Sequence, residues 1–213
     1  GLTTHTVLGS DRPEVVDNIE IEQAMVDGAR LFGPRVERAY SDPRSFIHID
    51  DARTFFSTGK RRYDVIVSEP SNPWVSGVAS LFTREFYGFL RRHLNDEGVL
   101  VQWLQSYELS DPLLATMLAA LVEEFPDAEV YLTNSADLLI LARKSGGPIT
   151  LNSNPWESPE LAAELRRVGL GGVDDLKLRR IGGARVLRTM TRLYGAEIHS
   201  DFYPTVSLQA PRA

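Results

Sequence analysis

The sequence predicts an α/β fold: a doubly wound, mostly parallel sheet closed by a C-terminal β-hairpin and followed by a helical segment. Three observations carry that expectation. Short apolar, β-branched runs recur with almost no polar alternation, which suits strands covered on both faces. Stretches of helical period separate those runs, and alternation of strand with helix argues for parallel strands joined by crossovers. The chain is also long enough to build a core, with 213 residues of which 43% are hydrophobic and 24% charged, ordinary usage for a globular protein.

The strand runs are 15–21, 46–49, 63–67 and 99–104. Helical periodicity covers 23–32, a short turn at 51–56, 83–94, and 111–125 with Ser110 as its expected N-cap. Two further strands, 128–132 and 138–142, flank Thr133, Asn134, Ser135 and Ala136 and read as a closing hairpin. After Lys144 the chain turns to Ser-Gly-Gly-Pro and then Asn152-Ser153-Asn154-Pro155, a linker by its breakers. Beyond it, 158–168, 174–180 and 184–194 have helical period, and 201–213 is expected to be an extended strap. The division expected is therefore a nucleoside-binding domain over 1–143, and a linker, helical appendage and strap over 144–213.

Composition removes several function classes. Asp plus Glu number 29 against 23 Lys plus Arg, a formal charge of −6, so a general affinity for nucleic-acid backbone is not expected. Without cysteine there is no disulfide, thiolate nucleophile or Cys-based zinc site, and the four histidines lack metal-ligand spacing. No metal is expected. No apolar run approaches the roughly 20 residues that cross a bilayer, and the N-terminus lacks a signal pattern, so a cytoplasmic location without membrane contact is expected. His5, His48, His93 and His199 stand singly and are given no role, and Arg61-Arg62 reads as a solvated turn.

In an open α/β sheet, ligands bind beyond the carboxyl ends of the strands. The first run ends Asn18-Ile19-Glu20-Ile21-Glu22. A carboxylate there can accept from both hydroxyls of a ribose, which favours Glu20; the alternative is that Glu20 or Glu22 caps the next helix. The second run ends Ile49-Asp50-Asp51-Ala52-Arg53, where an Asp either accepts from an exocyclic amine such as that of adenine or simply N-caps. The third ends Ser68-Glu69-Pro70-Ser71-Asn72-Pro73-Trp74. Two prolines stiffen a polar loop in which Glu69 could take a proton from an amine, Asn72 orient it and Trp74 face a cation; the alternative is a crossover turn anchored by Trp74. The fourth brings Gln102 and Gln105, amides without an obvious core role.

These residues, with Tyr63-Asp64-Val65-Ile66-Val67, Leu81-Phe82-Thr83-Arg84-Glu85-Phe86-Tyr87 and Gly98-Val99-Leu100-Val101-Gln102-Trp103, resemble the spermidine synthase (polyamine aminopropyltransferase) family. The resemblance covers about residues 1–143, and the tail 200–212 is similar to a branch whose longer members carry a membrane region ahead of this domain. It implies a Rossmann-like fold of the class I methyltransferase type, and S-adenosylmethionine or its decarboxylated form as donor substrate. By it Glu20 holds the ribose, Asp51 with Ala52 the adenine, Glu69 the place of the catalytic acid, and Asn72, Trp74 and Gln102 the amine substrate. The implied activity is aminopropyl transfer to an amine. Methyl transfer, or a silent nucleoside-binding domain, are the alternatives, and a homodimer stays open.

Two departures accompany the resemblance. The family's Asp-Ser-Ser-Asp or Asp-Ser-Thr-Asp loop is here Glu69-Pro70-Ser71-Asn72, and Asn72 has no charge with which to hold an ammonium, so putrescine is not predicted as the acceptor. The opening Gly1-Leu2-Thr3-Thr4 looks like the last glycine of the cofactor turn entering its helix, with the strand before it missing. The chain is thus expected to be part of a longer protein, to hold two neighbouring strands unpaired, and to bind cofactor weakly by itself. The whole reading needs Glu20, Asp51 and Glu69 to surround one nucleoside-sized hollow.

Overall fold

A computed structural model describes residues 1–75, 77–133 and 136–210. The chain adopts the α/β class the sequence predicts, in two compact units whose segments interleave: Gly1–Gly59 with Leu151–Lys177, and Lys60–Thr150 with Leu178–Ala213.

In the first unit, Gly1 occupies the N-cap of α1 (Leu2–Val7). Strands β1 (Val16–Glu20) and β2 (Ser45–Ile49) run parallel, with Glu20 opposite Ile49. The helix expected over 23–32 is shorter: α2 (Gln23–Ala29) gives way to a 3-10 segment, Arg30–Arg35. Gly33 lies there at φ 59° and Pro34 follows it, so the backbone leaves the α region and one amide donor is missing. A further helix, α3 (Glu37–Ser41), was not predicted. After β2 come α4 (Ala52–Thr58) and, from the later segment, α7 (Pro159–Arg167), capped by Ser158. Leu8, Val26, Val36, Ala39, Phe56 and Ala162 are the buried apolar residues of this unit. Arg44 ties the loops before the strands together: its guanidinium donates to the carbonyls of Leu8, Ser10 and Pro13 at 2.8–3.1 Å and to Asp42 at 2.7 Å. That hydrogen-bonded pair pulls the Asp42 carboxyl down to about 2.

In the second unit, β3 (Tyr63–Ser68) pairs parallel with β4 (Leu94–Gln105), and β6 (Asp137–Arg143), β5 (Glu129–Leu132) and β7 (Arg180–Gly182) continue the sheet antiparallel in that order. The hairpin is present; of the turn expected at its tip, Asn134 and Ser135 lie outside the described residues. Strand β4 begins five residues before its expected start, because Leu94 already pairs with Tyr63 although Asn95-Asp96-Glu97-Gly98 has a turn's composition. Helix α5 (Arg84–His93) packs on β4 of this sheet, and α6 (Asp111–Glu124) packs against α5. In α5, Thr83 caps by accepting from the Phe86 amide at 3.3 Å. In α6, every residue from Leu113 to Leu121 is buried, the pattern of a helix enclosed on all sides. Ser110 sits at its N-cap without the expected side-chain hydrogen bond. The later segment adds α8 (Val173–Arg179), which crosses the boundary between the units in sequence, and α9 (Ala184–Leu193). The tail is not an extended strap: 205–209 forms α10 (Thr205–Gln209), seated by the fully buried Val206, and 211–213 lie outside the described residues.

One expectation about burial fails. Val65 and Val67 of β3 are 54% and 41% exposed and Phe46 of β2 48%, while Ile66 between the valines is buried. Among the described residues β1 pairs only with β2, and β3 only with β4. Among the described residues β1, β2 and β3 each therefore have one open edge, and apolar side chains beside such edges are left uncovered. No described helix is long and apolar enough to cross a membrane.

Candidate active site

The sequence-predicted residues fall into two groups, one on each unit. In the first, the parallel pairing of β1 and β2 sets Glu20 and Asp51 at adjacent strand ends: Glu20 lies opposite Ile49, and the Asp50 amide donates to the Glu20 carbonyl at 3.1 Å. The capping alternative is resolved in favour of Glu22, whose carboxylate accepts from the Ala24 amide at 3.4 Å. Glu20 accepts from the Glu22 amide at 3.2 Å through one carboxylate oxygen. Asp51 does cap α4, accepting from the Thr54 amide at 2.9 Å through Oδ1, and Ala52 is the first residue of that helix. Gly1 stands apart, packed against Val36 and Ala29; among the described residues no hydrogen bond joins it to Glu20 or Asp51.

In the second unit, β3 delivers Glu69 to solvent immediately after Ser68. The loop it opens is stiffened by Pro70 and Pro73. Pro73 is its buried anchor, whereas Trp74 and Asn72 are half-buried, and the Asn72 carbonyl accepts from the Val75 amide at 2.9 Å. Gln102 lies opposite Ser68 in the ladder and is fully buried. Its amide nitrogen donates to the carbonyls of Ser68 at 3.3 Å and Trp103 at 2.8 Å, so it fixes the residue from which the Glu69 loop departs. Among the described residues the Gln102 Oε1 and both amide atoms of Gln105 are buried with no hydrogen-bond partner. Orphaned amides of this kind call for water or a polar ligand. The structure thus brings Glu20, Asp51 and Ala52 together on one unit and Glu69 and Gln102 together on the other.

Sequence reasoning missed the strut behind this loop. His199 is fully buried and hydrogen-bonds through Nε2 to the Ala79 carbonyl at 2.9 Å, while the Val206 amide donates to its Nδ1 at 3.5 Å. A carbonyl only accepts, so Nε2 carries a proton toward Ala79. Ala79 belongs to the 3-10 turn Val78–Phe82 that follows the Glu69 loop. The Arg84 amide donates to the His199 carbonyl at 3.0 Å, and Glu85 accepts from the Asp201 amide at 2.9 Å, so the Leu-Phe-Thr-Arg-Glu-Phe-Tyr segment is clamped to the tail. A single histidine in an aperiodic stretch carries no signal by which this could be foreseen. Tyr87 of the same segment is buried with its hydroxyl unpartnered among the described residues, and burial pushes its phenol well above the usual range.

Burial lowers the His199 pKa below 6.5. The unfolded chain then takes up protons that the folded chain resists, so this stabilisation is complete above about pH 6.5 and is lost as pH falls toward the depressed folded value. The melting temperature is expected to drop between pH 7 and 5, and His199→Asn to flatten that slope, with the remainder shared by His5, whose pKa burial also lowers. An unchanged slope in the variant would place the acid sensitivity elsewhere.

Among the described residues no group of three or more His, Asp or Glu side chains is arranged to hold a metal ion. Compared with known proteins, residues 1–137 match the family described as "Spermine/spermidine synthase domain". A polyamine aminopropyltransferase of Nitrosomonas europaea is 30% identical over 210 residues, 96% of this chain and 62% of that protein. One from Clostridium perfringens is 29% identical over 151 residues, 67% of this chain and 53% of that protein; the chain thus spans between half and two thirds of these relatives. Among solved structures, the spermidine synthase from Thermotoga maritima superposes with a TM-score of 0.67 at 20% identity, over 91% of this chain and 65% of its own. A spermidine synthase in complex with the transition-state analogue AdoDATO gives 0.63 at 24% identity, over 70% and 53%. At these identities the two structures establish a shared fold, the Rossmann-like arrangement of the methyltransferase type.

Proposed function

The chain belongs to the spermine/spermidine synthase domain family, and from that premise we propose that it contributes the transfer site of a polyamine aminopropyltransferase-like enzyme. The donor is a sulfonium nucleoside, decarboxylated S-adenosylmethionine in the first place, and the acceptor a small amine. The observation that carries this reading is the seating of Glu69: an exposed carboxylate on a proline-stiffened loop, directly after a strand end that the buried Gln102 amide holds in place.

In the reaction, the amine nitrogen attacks the carbon attached to the sulfonium sulfur. The C–S bond breaks with its electron pair going to sulfur, and the new ammonium loses a proton. The positive sulfur already activates the carbon, so the protein's tasks are to align the amine, exclude water and accept that proton. Glu69 accepts the proton, and Asn72 and Trp74 position the amine by hydrogen bond and ring face. Glu20 holds the ribose hydroxyls, Asp51 and the start of α4 at Ala52 serve the adenine edge, and Gly1 lies at the entry to the cofactor helix. Asn72 is neutral where the family carries a second Asp, so the acceptor is held with one carboxylate fewer, and a diamine such as putrescine loses an anchor.

Incubating the protein with decarboxylated S-adenosylmethionine or S-adenosylmethionine and a panel of primary amines, followed by mass spectrometry, tests this. Addition of a propylamine group with the decarboxylated donor is expected. A methyl increment with S-adenosylmethionine, or ligand-induced thermal stabilisation without any product, would replace the reading by methyl transfer or by a silent nucleoside-binding domain.

A further inference from the structure

The second unit contains a hollow of about 290 Å³ lined by Arg62, Gly88, Arg91, Arg92, Glu124 and Lys144. Four cations from three places in the chain meet there around one carboxylate. Arg91 and Arg92 come from the last turn of α5, Arg62 from the residue before β3, and Lys144 from just past β6. The hollow is remote from Glu69: it adjoins the beginnings of β3 and β4, where Tyr63 pairs with Leu94, whereas Ser68 and Gln102 lie at the other end of the ladder. Six residues of strand place those ends roughly 17 Å apart.

The chain as a whole carries a charge of −6, so this cluster is not a sample of a basic surface. Cations on the last turn of a helix complement its dipole, which accounts for Arg91 and Arg92 but not for the convergence of Arg62 and Lys144 upon them. The cluster is also held in shape. Lys144 donates to the Leu94 carbonyl at 2.8 Å and reaches Asp96 at 3.3 Å, and the Arg92 guanidinium lies 4.5 Å over the Phe89 ring. Gly88 keeps the floor open: a Cβ there would stand 3.6 Å from the Glu124 carboxylate and 3.7 Å from an Arg92 nitrogen. Among the described residues Arg62, Arg91 and Glu124 form no ion pair. With Lys144 already paired to Asp96, three guanidinium groups against Glu124 leave a formal +2 in a space of small-ligand size, and like charges so gathered repel unless an anion joins them.

We propose that this hollow is a binding site for a compact phosphate-bearing polyanion, separate from the transfer site. Guanidinium forks match phosphate oxygens in pairs, and a volume near 300 Å³ suits a small ligand rather than a nucleic-acid backbone, which needs an extended track.

Inorganic pyrophosphate is the probe, titrated calorimetrically into the protein in chloride buffer of fixed ionic strength. One site per chain is expected. The double reversal R62E/R91E should weaken it at least tenfold, and E124Q should tighten it several-fold, a gain that damaged folding cannot imitate. Unchanged pyrophosphate affinity in R62E/R91E, no tightening in E124Q, the absence of any binding heat, or binding of an oligonucleotide without binding of pyrophosphate would each overturn the proposal.

Discussion

Glu69→Gln is expected to lower aminopropyl transfer by roughly 10²–10⁴-fold, the contribution general-base catalysis usually makes. The substitution preserves shape and removes only the charge that receives the proton. Glu69 is exposed and follows β3 rather than lying within it, so the variant should melt close to the parent temperature. Its affinity for a nucleoside such as 5′-methylthioadenosine, measured by calorimetry, should stay within about twofold, because the ribose and adenine contacts are assigned to Glu20 and Asp51. Glu69→Asp withdraws the carboxylate by one methylene and should recover part of the lost rate. Turnover of the Gln variant at the parental rate would mean that the proton leaves by another route.

The largest stability effect is expected from α6. Leu118 is 1% exposed there, in a helix that contacts α5, α9 and α10. Leu118→Ala removes buried surface and opens a cavity that surrounding helices cannot readily fill, for a cost of about 2–5 kcal/mol. In a chain of this size that corresponds to a fall of roughly 4–20 °C in melting temperature. Leu178→Ala is the matched control: the same atoms are removed from a side chain 84% exposed, and a change within about 0.5 kcal/mol is expected. Equal losses in the two variants would show that α6 is not the centre of the second unit's core.

The parallel strands were legible because their chemistry is local. Runs such as Tyr63-Asp64-Val65-Ile66-Val67 favour extended backbone by side-chain shape alone, and β1, β2 and β3 begin and end within a residue or so of expectation. The elements that escaped are created by partners distant in sequence. Arg180–Gly182 is a strand because Glu129–Leu132 offers it an edge, and 205–209 is helical where Val206 finds a buried seat. The start of β4 was hidden because Asn95-Asp96-Glu97-Gly98 reads as a turn until Tyr63 lies beside it. At the candidate site, residue types beside strand ends singled out Glu20, Asp51 and Glu69, and the structure places each at or just past the end of a strand. They could not say which of Glu20 and Glu22 caps α2, since both lie within reach of the first turn and only the backbone path decides. Nor could they reveal that Gln102 is a buried brace, because an amide on a strand has the same letter whether it faces helix or water.

The interleaving of segments bears on how this chain is made. Ribosomes extend polypeptides at roughly 5–20 residues per second, and each unit draws its second segment from beyond residue 150. The outer edge of β5 waits for Arg180–Gly182, and the Ala79 carbonyl waits for a histidine 120 positions later. Until residues 180–199 have emerged, the nascent chain shows an unfinished sheet margin at β5 and an unbraced turn after the Glu69 loop, and unpaired strand edges are what make such intermediates prone to aggregate.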